Sequence, residues 1–131
     1  MKRAGILNSD VSYVIATLGH TDFICVADAG LPIPDAVERI DLALVPGVPG
    51  FLQTVEALLA DTVVERAVIA REMSGRSPAV YRALKRLLRG IPIEQVPHRV
   101  FKRRVGAARA VIRTGECTPY ANVLLQSGVA F

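Results

Sequence analysis

The chain has 131 residues, 51% of them hydrophobic and 21% charged, which is the size and make-up of one compact domain, 1–131, with a real core. Its net charge of +4, from 16 basic and 12 acidic side chains, is too mild to imply nucleic acid by itself. No apolar run approaches the roughly 20 residues that cross a bilayer, which argues against a membrane segment. The N-terminus carries Lys2 and Arg3 but no long apolar stretch and no cleavage site, so it reads as a mature cytosolic start. Cys25 and Cys117 fit a reducing compartment, and Cys25, inside an apolar run, is most simply a small core residue.

Asn8, Ser9 and Asp10 offer N-caps to a short amphipathic helix whose apolar face is Val11, Val14, Ile15 and Leu18, stopped at Gly19. Residues 23–27 form a continuous apolar run of strand length, suited to a sheet covered on both faces. The two prolines of 28–34 make that segment a loop. A second strand covers 39–44 and a Pro/Gly turn 46–50, followed by a helix over 51–60 and a strand over 63–69. Ser77 as N-cap and Pro78 at the first position open a helix that Gly90 closes. Then come a short strand at 91–96, a helix at 98–107, a buried strand at 110–112 and a last strand at 122–125. Strands alternating with helices predict an α/β fold, a largely parallel sheet flanked by helices.

The chemistry rests on few groups. Of two histidines, His20 follows Gly19, where the negative end of the preceding helix favours an imidazolium and a general acid is well placed. Asp22 is close enough in sequence to orient that ring, or simply faces solvent at the strand start. Asp28 ends the first apolar strand, where ligands gather in open α/β sheets. It can accept sugar hydroxyls or act as a base, or cap its own turn. His98 opens a helix, with Lys102 on the same face. The 113–122 segment ends in Tyr120, Ala121 and Asn122 before an apolar strand. A phenol and a carboxamide both donate and accept, as polyols require, although a tight turn with a capping Asn gives the same pattern. Ala121 can contribute only through its backbone. There is no phosphate loop, dinucleotide fingerprint, nucleophile elbow or metal-ligand spacing. Residues 82–113 hold ten basic side chains against Glu94 alone, but without the interleaved aromatics of single-strand binders.

Several ordered blocks together resemble the D-ribose pyranase family, related to the fucose mutarotases. They are Leu7-Asn8-Ser9, Leu18-Gly19-His20-Thr21-Asp22, Ala27-Asp28-Ala29-Gly30-Leu31-Pro32-Ile33-Pro34, Arg39-Ile40-Asp41-Leu42 and the 113–122 segment. The resemblance covers nearly the whole chain and points to the ribose branch. It implies interconversion of the pyranose and furanose forms of β-D-ribose, with His20 as proton donor. Asp28, His98 and Tyr120-Ala121-Asn122 would bind the sugar. It further implies no cofactor and no metal, a cytoplasmic protein, pentameric rings paired as a decamer with sites that a neighbour can complete, and ribokinase as pathway partner. Fucose mutarotation and non-catalytic sugar binding are the alternative readings. The 76–96 stretch carries no recognisable family block.

Overall fold

The computed structural model describes residues 1–131. Asn8 Oδ1 accepts the Val11 N–H at 2.9 Å and opens α1 (Ser9–Ala16), satisfying one of the unpaired donors of the first turn. After β1 (Phe23–Ala27) and β2 (Glu38–Asp41) come α2 (Phe51–Asp61), β3 (Val64–Ala70), α3 (Glu72–Arg76) and α4 (Pro78–Leu87). The chain ends with β4 (Ile93–Val96), α5 (His98–Val105), β5 (Ala110–Arg113) and β6 (Val123–Ser127). No helix is long and apolar enough to cross a membrane.

The six strands form one sheet in the order β2-β5-β1-β6-β3-β4. The β1–β5, β2–β5 and β3–β4 pairs are parallel, whereas β6 runs antiparallel to both β1 and β3. Five strands therefore share one direction, and the last strand is inserted against them at the centre. Side chains alternate across the sheet as the strand period of two demands. Ile24 and Val26 join a core with Phe51, Val55, Leu58, Met73 and Leu84, while Cys25 and Ala27 join the opposite core with Phe101 and Val105. One face thus carries α1 to α4 and the other α5, in a three-layer α/β/α arrangement.

Beyond shifts of a few residues in several bounds, the elements differ from expectation in four places. The second strand stops at Asp41 because Asp41 Oδ1 turns back to accept the Ala43 N–H at 3.1 Å. The first helix ends at Ala16, well short of Gly19, and the left-handed residue of its exit is Thr21, at φ 72°. Ser77 precedes α4 without capping it; its hydroxyl donates to the Pro119 carbonyl at 2.5 Å instead. The short helix α3 had no signal beyond Glu72 and Met73, and it is held by the burial of Met73 rather than by propensity.

Among the glycines, Gly115 sits in the tightest approach. Its N–H donates to the Pro49 carbonyl and its own carbonyl accepts the Gly47 N–H. A Cβ at residue 115 would lie 2.5 Å from the Val48 oxygen and 2.7 Å from the Val45 oxygen. Both are backbone atoms that cannot swing aside. Gly115→Ala should destabilise the protein by about 1–3 kcal/mol. Gly75→Ala, in α3 with nothing within 4 Å of the added methyl, should be neutral or stabilise by up to about 1 kcal/mol. Denaturant midpoints of the two variants check the opposite signs.

Candidate active site

The strand directions decide which groups can meet. Asp28 follows the last residue of β1, Glu72 follows the end of β3 and His98 follows β4. Because β6 is antiparallel, the residues that precede it, Tyr120, Ala121 and Asn122, arrive at the same end of the sheet. This is the carboxyl edge of the parallel strands, where open α/β sheets bind ligands. A cavity of about 280 Å³ lies there between Asp28, Gly30, Leu31, Arg76, His98 and Tyr120. A second one, of about 440 Å³, shares Asp28 and Gly30 and reaches Glu116 and Cys117.

Asn122 and Asp28 hold each other. Asn122 Oδ1 accepts the Asp28 N–H at 2.8 Å, and Asn122 Nδ2 donates to Asp28 Oδ2 at 2.9 Å. The other carboxylate oxygen accepts the Gly30 N–H at 2.9 Å, so each oxygen of the side chain is held by one donor. Asn122 is fully buried, and so is Ala121, whose methyl packs in the core. In the single chain the carboxamide therefore acts on the pocket by fixing Asp28. Tyr120 takes a left-handed φ of 62°, a conformation that an ordinary side chain adopts at a cost, and its ring meets His98 edge-on at 5.0 Å.

His98 is built into the wall. Its backbone N–H donates to both carboxylate oxygens of Glu72, at 3.2 and 3.0 Å, which fastens α5 to α3. Its ring stacks near-parallel on Phe101 with centroids 6.3 Å apart, and its Nδ1 is buried without a protein partner. Burial, then the Lys102 charge one turn along, lower its proton affinity; the Glu72 and Asp28 carboxylates pull the other way without winning. The ring is thus held neutral near pH 7. The helix-face relation of His98 and Lys102 is confirmed, and its effect is electrostatic.

His20 stands elsewhere. It precedes β1, whereas Asp28 follows it. The five residues of β1 separate the two by about 17 Å of extended chain. The His20 side chain is 54% exposed, and its Nε2 lies 3.1 Å from both carboxylate oxygens of Glu65, at the start of β3. The neighbouring carboxylate does not orient the ring: Asp22 Oδ2 accepts the Gly19 N–H at 2.9 Å and faces Arg109. Since α1 ends at Ala16, the helix dipole, which fades within the last turn, does not reach His20 either.

Sequence reasoning missed Glu72, Arg76 and Glu65. Glu72 carried the same cue as Asp28, a carboxylate just past an apolar strand. Glu65 had none, because its meeting with His20 depends on the register of strands 45 residues apart. Nor was Glu116 noticed, although its Oε1 accepts the Phe51 N–H that opens α2 and its Oε2 accepts the Thr118 hydroxyl.

A sugar-sized pocket of one carboxylate, one neutral imidazole and one phenol, at the carboxyl edge of an α/β sheet, agrees with the comparisons. Residues 1–130 match the model of the RbsD / FucU transport protein family, and the chain belongs to that family. It is 60% identical to the D-ribose pyranase of Laribacter hongkongensis over 131 residues, the full length of both chains. It is 51% identical to the D-ribose pyranase of Vibrio cholerae over 139 aligned positions, again the whole of each. Among solved structures, Bacillus subtilis RbsD complexed with D-ribose matches with a TM-score of 0.97 at 47% identity, over 100% of both chains. The fucose mutarotase of Streptococcus pneumoniae, complexed with L-fucose, shares the fold alone, with a TM-score of 0.83 at 22% identity over 95% of both chains.

The lowered proton affinity of His98 has a thermodynamic consequence. Its stabilising contribution is complete above the ordinary histidine value of 6.5. It is lost as pH falls from there through the lowered folded value, because the unfolded chain takes up the proton first. Denaturant midpoints measured across that window should fall with acidification, and His98→Asn should remove that part of the slope.

Proposed function

We propose that this protein is a D-ribose pyranase, interconverting β-D-ribopyranose and β-D-ribofuranose by acid–base opening and re-closure of the hemiacetal. The observation that carries this reading is the 60% identity, over the full length of both chains, to a D-ribose pyranase. The pocket supports it, since its groups bind hydroxyls and exchange protons. The likeness to a ribose-bound structure at 47% identity, against 22% for the L-fucose complex, favours ribose over fucose.

Opening the ring requires a proton on the ring oxygen and removal of one from the anomeric hydroxyl. His20 gives the first. His98, neutral at the pocket wall, is suited to take the second, while Asp28, fixed by Asn122 and Gly30, accepts sugar hydroxyls. Tyr120 completes the sugar contacts, and Asn122, fully buried, serves the site by holding Asp28. No cofactor enters this chemistry.

With His20 and the pocket at opposite ends of the sheet, one chain holds two halves of a site. A head-to-tail contact, which generates rings when it closes, joins the His20 end of one protomer to the pocket end of the next. Exposed apolar side chains at both ends support such a contact: Leu44, Val45 and Val48 beyond β2, and Val63, Val129 and Phe131 beside the start of β3 and the end of β6. Pentameric rings paired as a decamer are the assembly we propose. The protein would act in the cytoplasm, supplying furanose to ribokinase.

NMR exchange spectroscopy on equilibrated D-ribose tests the reading. Wild type should speed pyranose–furanose exchange, and His20→Ala should lose roughly 10²–10⁴-fold of that rate while still binding ribose. Co-assembling His20→Ala with His98→Ala chains should restore part of the activity, because mixed contacts contain intact pairs. Ribose binding without faster exchange in wild type would leave a sugar-binding module, and exchange of L-fucose instead would make the protein a fucose mutarotase.

A further inference from the structure

The pairing of His20 with Glu65 lies outside the pocket, at the opposite end of the sheet. We propose that Glu65 is the positioning residue of the proton donor, fixing His20 so that Nδ1 is the atom that exchanges its proton with the sugar. This rests on the reading of His20 as donor.

Both carboxylate oxygens of Glu65 lie 3.1 Å from His20 Nε2. A carboxylate only accepts, so Nε2 carries a hydrogen in this pair and Nδ1 is the nitrogen left to meet substrate. Both partners are mounted on anchored backbone. Glu65 belongs to β3, and the turn that carries His20 is tied to the end of β6, with Thr21 N–H on the Ser127 carbonyl at 2.9 Å and Ser127 N–H on the Asp22 carbonyl at 2.8 Å. Gly128 leaves the lane open: a Cβ there would stand 3.3 Å from both Glu65 Cβ and Glu65 Oε2. The nearer acid in sequence, Asp22, is engaged by Gly19 and Arg109.

The step follows. The imidazolium Nδ1–H gives its proton to the ring oxygen as the bond from that oxygen to the anomeric carbon breaks, its electron pair staying on oxygen. The anomeric O–H loses its proton to the pocket base, and its electrons form the carbonyl. His20 is left neutral with its hydrogen on Nε2, the form that Glu65 holds. A different hydroxyl then attacks the carbonyl carbon and returns its own proton to Nδ1, while the carbonyl oxygen takes back the proton held by the pocket base, which closes the other ring.

Ring exchange at saturating D-ribose should fall at least about tenfold in Glu65→Ala, with ribose affinity within about twofold of wild type. Glu65→Gln, whose carbonyl still accepts the Nε2–H, should recover most of the rate. Nitrogen-15 NMR of His20 should show the neutral ring protonated on Nε2 in wild type. That hydrogen should be protected from solvent exchange in wild type and Glu65→Gln, and unprotected in Glu65→Ala. The inference is overturned by an undiminished rate in Glu65→Ala, by Glu65→Gln being as slow as Glu65→Ala, or by a wild-type ring protonated on Nδ1. Wild-type protein without ribose exchange overturns the donor reading and this inference together; wild-type exchange with an unslowed Glu65→Ala overturns only the latter.

Discussion

The reciprocal bond between Asn122 and Asp28 joins the end of β1 to the residues that enter β6, at the point where the only antiparallel strand is inserted among parallel ones. A buried carboxamide facing a carboxylate is stable only if its donors and acceptors are matched, and here the Asp28 N–H and one carboxylate oxygen match both ends. The constraint spreads from there. Holding Asn122 against Asp28 leaves Tyr120 to turn the chain, which it does in the left-handed region, and so directs its ring at His98. Pro119 is in turn fastened by Ser77 at the entrance to α4. One side-chain pair thus sets the geometry of a pocket whose residues come from four separate parts of the chain.

The basic character of residues 82–113 is partly neutralised in place. Glu94, its single acid, accepts from Arg104 at 2.9 Å and pairs with Arg66, and these partners hold its carboxyl below the usual range. Arg113 donates to the Ala29 carbonyl and to both oxygens of Asp41, each at 3.1 Å, tying the 28–30 loop to β2. Desolvation works against Asp41, but the Ala43 N–H and Arg113 more than offset it and keep its carboxyl low. Such half-exposed pairs contribute modestly to stability. Their effect is to take two of the arginines out of any continuous basic stripe.

Most of the fold was legible because each element announced itself locally: caps and periodicity for α1, an apolar run for β1, Pro and Gly punctuation around α2 and α4. Asp28, His98 and Tyr120 were legible for the related reason that strand ends and turn residues mark the carboxyl edge of a parallel sheet. The insertion of β6 against its neighbours was not, since direction is a property of pairing and its sequence, Val123 to Ser127, reads the same either way. For the same reason Glu65 was invisible and the buried role of Asn122 was hidden: both depend on partners 45 and 94 residues away. Local chemistry offered Asp22 only as one possible mate of His20, beside a solvent-facing role, and tertiary register chose Glu65.

If His20 is the donor, its placement at the opposite end of the sheet from the pocket would also change how sites are counted. When each complete site lies across a contact between protomers, the number of sites equals the number of contacts rather than the number of chains. An open row of protomers always leaves one donor and one pocket idle at its two ends. In the ring proposed above, closing the row would remove both idle halves at once, so closure itself would become a catalytic property, and dilution below the assembly threshold would silence every copy without altering a single fold.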